Sequence, residues 1–292
     1  MIFVLKVIDM FEAELYDGES VVEKLTLKCG QEIKIYKLDN VHDFIKFVGF
    51  GKYINNTEYN VYLRGQTDLF DGTMKPSLYR GDRNINRTFS AYNKRVNTLV
   101  DGHDSLRKYS KETLEPILQH YGVKTNWLDL VDNMWIALWF ACHDVRSKII
   151  ESREYIYFSE SNAEYAYIYL IATDAIKDDS GNRGVYKGQT TTVVDLRKGT
   201  PSIFLRPHAQ HALMIRKMDA KSVDYTDLIV GIAKIPMNIA KKWIGSSELL
   251  AVNSLFPAPH FDDGYAFLLK TIVFNTNEDV KNIGSIQIVS GD

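Results

Sequence analysis

The segment Asn133–His143, NMWIALWFACH, is apolar on nearly every face of a helix. A surface helix keeps a polar stripe, and this one has none, so it belongs inside a core with other layers packed around it. It is also far shorter than the about 18–20 apolar residues a membrane span requires, and no longer apolar run exists in the chain. Asp132 or Asn133 is placed to cap its start. A chain of 292 residues, 45% hydrophobic, has the material to enclose such a helix in one large domain or two small ones. Lys+Arg number 35 and Asp+Glu 37, a net charge of -2, which excludes a generally basic nucleic-acid binder but not a local basic patch. Cys29 and Cys142 are too few for a disulfide scaffold or a cysteine-rich metal site. The start, MIFVLKVIDMFEAEL, lacks a basic region and carries acids early, unlike a signal peptide. The expectation is a reduced, cytoplasmic protein with no membrane partner.

Periodicity places the other elements. Residues 1–38 alternate apolar and polar residues on either side of Asp17-Gly18, which predicts a β-hairpin or small meander. Val41–Val48 has helical spacing, with Asn40 as N-cap and Gly49 and Gly51 as stops. Asn60–Arg64 reads as a strand and Glu112–Tyr121 as a helix, while residues 122–132 read as a polar connection. Arg83, Arg87, Lys94 and Arg95 lie along a predicted helix whose basic face is read first as solvated, and second as a phosphate-contacting surface. Residues 144–165 look like a charged surface insertion. Ala166–Ala172, Ile203–Leu205, Ala209–Arg216, Leu228–Ile235 and Ile286–Val289 are predicted strands, and Asn238–Leu255 and Gly264–Lys270 predicted helices. Strands and helices mix without regular βαβ alternation. The fold class is therefore α+β: a single compact domain over residues 40–292, with a mixed or antiparallel sheet packed by helices, and an N-terminal β elaboration over residues 1–39.

Several chemistries lack their signature. There is no GxxxxGK[ST], HExxH, CxxC or GxSxG, and Gly49-Phe50-Gly51 follows a helix pattern with Ile54 where a dinucleotide fingerprint needs glycine. His208 and His211 are three apart, and His260 stands near Asp262 and Asp263, but residues three apart on a strand face opposite sides. These histidines read as polar side chains, and no metal is expected.

Three segments stand out together: VYLRGQ at 61–66, LQHYGVKTNWLDLVDNMWIALWFAC at 118–142, and FLRPHAQHALMI at 204–215. They resemble the FRG domain family. The resemblance rests on Arg64-Gly65-Gln66, on Gln119-His120-Tyr121-Gly122 with Thr125 and Leu128-Asp129, on Ala137-Leu138 with Phe140-Ala141, on Arg206 and Gln210, and on Leu255-Phe256-Pro257 with Asp262-Asp263-Gly264. It spans roughly residues 40–275, with Leu63 in place of the aromatic, Asn126 where Arg is common, and Ala212 where Gly is common.

Arg64 beside a glycine reads as an anion clamp, since the guanidinium fork suits phosphate or carboxylate and glycine admits close approach of a ligand. The competing reading is a structural arginine holding a carboxylate such as Asp129. Gln119, His120, Tyr121 and Thr125 crowd polar groups before an apolar helix, either as a pocket wall or as an internal hydrogen-bond network. Trp127, Trp135 and Trp139 read as core.

The layout also resembles, more weakly, the ADP-ribosyltransferase superfamily. That resemblance implies NAD as cofactor, with Arg64 in the first motif and Tyr121 with Thr125 in the second. The third motif offers Gln210, His208 and His211 but no Glu, and a neutral Gln lacks the charge a carboxylate supplies, so Asp129 or Glu112 would have to stand in. The candidate catalytic residues are then Arg64, Tyr121 and Gln210, and the candidate cofactor-binding residues Gly65, Gln66, His120, Thr125 and Arg206. Three readings remain open. One is an enzyme that transfers ADP-ribose from NAD to a protein or nucleic acid, or hydrolyses NAD. Another is a nucleotide- or nucleic-acid-binding module without chemistry, with the Arg83/Arg87/Arg95 stripe opening onto it. The third is a structural or partner-binding protein. A resemblance to stress or phage-defence modules would suit the first.

Overall fold

The computed structural model describes residues 22–55, 59–80, 90, 93–94, 96–97, 104–150, 153–179, 181–219, 223–270 and 286–287. Its strands are β1 (Val22–Thr26), β2 (Glu32–Lys37), β3 (Asn60–Gln66), β4 (Leu128–Val131), β5 (His143–Ile150), β6 (Arg153–Glu160), β7 (Tyr165–Thr173), β8 (Lys177–Asp178), β9 (Val185–Lys187), β10 (Thr191–Asp195), β11 (Ala212–Lys217), β12 (Ile229–Pro236) and β13 (Ile286–Gln287). Ten form one sheet in the order β1-β2-β12-β7-β3-β4-β11-β10-β9-β8, and three form a small sheet in the order β13-β6-β5. The large sheet is antiparallel except where β2 meets β12 in parallel, with Ile35 opposite Ile232. The class is α+β.

Strand β7 explains why both faces must be covered. Ala166, Ile168, Leu170 and Ala172 point into one core with Val61 and Leu63 of β3, while Tyr167, Tyr169 and Ile171 point into a second core on the opposite face. The first core is closed by the helices Val41–Asn55, Met134–Ala141 and Met237–Ile244. The middle one is the apolar segment, with Ile136, Ala137, Leu138, Trp139 and Ala141 buried. Asn133 caps it, its side chain accepting from the Trp135 and Ile136 amides. Further along the same side, the helices Lys111–His120 and Asp263–Lys270 enclose a third cluster around Tyr121, Trp127, Phe204 and Tyr265.

The structure corrects several local expectations. Gly49 and Gly51 do not end the first helix, which runs from Val41 to Asn55. An interior glycine costs about 1 kcal/mol, and burial of Phe44, Phe47 and Val48 offsets it. Within the run 22–38 a hairpin turns at Gly30, whose φ of 85° suits glycine. Asp17-Gly18 lies outside the described residues, as do Arg83, Arg87 and Arg95. The insertion at 144–165 contains the two long strands β5 and β6. The connection 122–132 contains β4, and Leu205–Ala209 is a helix where a strand entry was expected. The helix expected over 238–255 stops at Ile244, because Gly245 takes φ 63°.

Candidate functional site

Strands β3 and β4 pair only through Leu63 and Val131, and no ladder continues from there toward Gln66 and Leu128. The two halves of the sheet therefore part beside Arg64, and the polar motifs gather at this split. Arg64 lies next to Gly65 for a packing reason. A methyl group on Gly65 would overlap the Ala137 carbonyl and crowd the Ala141 amide, so β3 presses directly on the apolar helix. The glycine approaches a helix backbone, and Arg64, one residue earlier, is turned to the opposite face.

Across the split, the Arg64 Nη1 donates to the Asp129 backbone carbonyl at 2.7 Å. The Asp129 carboxylate accepts from Gln119 Nε2 at 2.7 Å, and Gln119 in turn accepts from the Thr125 hydroxyl. Thr125 also receives the Trp127 amide on that hydroxyl and the Leu78 amide on its carbonyl, which ties the loop after β3 to the site. His120 Nε2 lies 4.0 Å from the Asp129 carboxylate, whose side chain is 49% exposed. Arg64, Asp129, Gln119, His120 and Thr125 thus form one constellation drawn from β3, the end of the helix Lys111–His120, and β4.

A second set adjoins it. Arg206, fully buried, donates from Nη1 to the His120 carbonyl at 3.2 Å and lies over the rings of Tyr121 and Tyr265, 4.8 and 4.1 Å from their centroids. Asp262, also fully buried, accepts the Tyr121 hydroxyl at 2.6 Å and the Arg206 and Tyr265 amides. Gln210 donates to the Leu255 carbonyl at 2.7 Å. The Tyr121 ring is covered by Arg206, Tyr265 and Phe204 and keeps no exposed surface. His208 lies in the helix Leu205–Ala209, and His211, at φ 49°, joins Asp132 and Arg197 in a separate ion cluster with Asp195.

Burial dominates the electrostatics. It lowers the Arg64 pKa to about 10, with Arg80 pushing the same way and Asp129 opposing, so the guanidinium remains a cation at neutral pH. Burial also holds His120 below its ordinary value, against the pull of Asp129. Desolvation pushes the Cys142 thiol up to about 12, which leaves it unreactive.

Three polar groups on one patch of sheet find no partner among the described residues: Arg64 Nε, the Gln66 side-chain carbonyl and the Tyr169 hydroxyl. Arg64 stands directly opposite Tyr169, and Gln66 opposite Tyr167, in the β3–β7 register. Tyr169 escaped the sequence reading because β7 registers first as an apolar strand. Its signal was the alternation of Tyr165, Tyr167 and Tyr169 on one face. Asp262 was noted only as part of a motif, although a buried carboxylate among three aromatics is the anchor of the second set.

Residues 59–149 match the family model of the FRG domain. Over that stretch the chain is similar to the FRG domain. No curated protein and no solved structure gives a match. The matched stretch holds Arg64, Gly65, Gln66, Gln119, His120, Tyr121, Thr125 and Asp129, whereas Tyr169, Arg206, Gln210 and Asp262 of the same neighbourhood lie beyond it.

Proposed function

We propose that this FRG-like domain binds a nucleotide at the split between β3 and β4, and that the nucleotide is NAD, used as a donor of ADP-ribose or hydrolysed. The observation that carries the reading is the state of Arg64. Its Nη1 is committed to the Asp129 carbonyl, while the Nε that starts its other edge is buried with no partner among the described residues. That edge is the one that grips a phosphate with two parallel hydrogen bonds, and a buried donor left unpaired costs about 1–3 kcal/mol. A ligand anion removes this cost.

The residues fit part of an NAD site. Arg64 would hold a phosphate. Asp129 would supply the carboxylate that the third motif lacks, since its side chain is half-exposed and oriented by Gln119. Glu112 does not serve, because it starts the helix that Gln119 nears the end of, about 10 Å along the axis. Bound NAD would supply the glycosidic bond to be broken and the ADP-ribosyl group. Tyr121 does not fit a role in stacking the nicotinamide ring, because its faces are already covered. It holds Asp262 instead. The acceptor, protein or nucleic acid, and a place in a cytoplasmic stress or phage-defence system rest on the family resemblance alone.

A reading without chemistry, as a nucleotide-binding module, is favoured by one observation: the Asp129 carboxylate already accepts from Gln119. One experiment separates the two. The purified protein is incubated with NAD, alone and with protein, DNA or RNA, and nicotinamide release is followed. Release that falls at least about a hundredfold in both Arg64→Lys and Asp129→Asn supports the enzyme. A melting shift with NAD but no release under any condition supports the binding module. Neither a shift nor release overturns the nucleotide reading.

A further inference from the structure

The three unpartnered groups beside the split define more than an anion site. Arg64 Nε offers a donor, the Tyr169 hydroxyl a donor or acceptor, and the Gln66 carbonyl an acceptor, all on the same sheet face. Arg64 and Gln66 are two residues apart on β3, and Tyr169 faces Arg64 across the ladder, so the three side chains project together. The Tyr169 ring is 2% exposed, so its hydroxyl is stranded in the sheet core, whereas Arg64 and Gln66 retain partial exposure. Entry is therefore from the β3 side, with Tyr169 as the floor. Donors at Arg64 and Tyr169 fit an anion. The Gln66 carbonyl repels an anion and requires an N–H or O–H donor beside it.

We infer that Arg64, Gln66 and Tyr169 receive a ribose phosphate, the phosphate seated on Arg64 and Tyr169 and an adjacent sugar hydroxyl donating to Gln66. This rests on the nucleotide reading above and extends it by making Tyr169, on a strand outside the family match, a ligand contact. It also explains how a sheet core tolerates three stranded polar groups on neighbouring residues.

The test compares inorganic phosphate, ribose 5-phosphate and NAD as ligands of the full chain, using melting temperature and calorimetric affinity. Tyr169→Phe removes one oxygen and keeps the ring. Because that hydroxyl has no partner among the described residues, the variant should melt at or above the wild-type temperature. It should bind both ribose 5-phosphate and phosphate about tenfold more weakly. Gln66→Leu should weaken ribose 5-phosphate by a similar factor and leave inorganic phosphate unchanged. The inference is overturned by three results: no wild-type binding of ribose 5-phosphate, unaltered affinity in Tyr169→Phe, or a melting loss in that variant without ligand. Equal effects of Gln66→Leu on the two ligands overturn the assignment of the sugar hydroxyl. The NAD reading fails separately. Ribose 5-phosphate binding with the expected variant pattern, but no NAD binding or nicotinamide release, retains the surface and removes NAD. Nicotinamide release with unchanged KM in Tyr169→Phe does the reverse.

Discussion

Arg64 and Arg206 are both motif arginines, both desolvated, and both set beside a tyrosine, yet their surroundings differ in kind. Arg206 is sealed. Its guanidinium lies over two tyrosine rings, it donates to the His120 carbonyl, and the fully buried Asp262 sits at its backbone amide. Arg64 is half-enclosed, bonds one backbone carbonyl, and presents a buried Nε that nothing among the described residues receives. A charge walled off from solvent can only hold a structure together, whereas a desolvated one that solvent still reaches can receive a ligand. Residue type and motif position do not separate these two cases. Access does: Arg206 is fully buried over two tyrosine rings, whereas Arg64 keeps partial exposure.

That contrast is open to direct attack. The largest effect belongs to the sealed side: Arg206→Ala leaves the Asp262 network without its cation and should lower stability by about 3–5 kcal/mol, read as a drop in urea midpoint. A midpoint near wild type would show that Arg206 is no more structural than Arg64. Gly65→Ala should cost about 3 kcal/mol, because the added methyl meets helix backbone and no flexible side chain can yield. If the variant melts normally, the close approach of β3 and the helix is wrong. Arg64→Ala should cost only about 1 kcal/mol, the worth of one hydrogen bond, while abolishing the melting shift that ribose 5-phosphate induces. A stability loss equal to that of Arg206→Ala would erase the distinction.

His120 lies between the two sets and gives a smaller effect with a definite sign. Burial keeps it neutral in the folded protein, while in the unfolded chain it takes up a proton near its ordinary value of 6.5. Its contribution to stability is complete above that pH and declines as the pH falls below it. Asp129 pulls the other way, and Arg206 and Gln210 are the remaining neighbours that set the value. Melting temperature should fall from pH 7 to pH 5, and less steeply in His120→Asn. An unchanged slope would place the acid sensitivity elsewhere, with His143, shifted in the same direction, the alternative source.

The legible parts of this molecule are those whose local pattern and final environment agree. The apolar segment from Asn133 could only be a buried helix, and Asn133 caps it. Strand β7 is long and β-branched or aromatic enough to announce itself, and the RGQ and QHYG motifs do meet at one place. The misread parts depend on distant partners. β4 is four residues long and is a strand because Leu213 and Met214 lie beside it. The first helix survives two glycines because the sheet packs along it. Gly65 looked like a ligand's glycine, but the backbone it accommodates belongs to Ala137, seventy-two positions onward. No local pattern distinguishes an arginine that tertiary packing seals from one it leaves within reach of solvent, which is why Arg64 and Arg206 read alike.

The parallel pairing of β2 with β12 has a consequence for how the chain is made. Ile35 leaves the ribosome early, but the strand that flanks it, carrying Ile232, is synthesised only after most of the rest of the sheet. β3 likewise waits for β7 before the Arg64–Tyr169 pair exists. The family-matched stretch therefore emerges with its central strand unpaired on one side, and its apolar helix has no finished surface to cover. Such long-range pairing slows folding and prolongs exposure of sticky intermediates. Until β12 arrives the apolar faces of the sheet stay uncovered, and residues 59–149 produced by themselves should aggregate rather than fold.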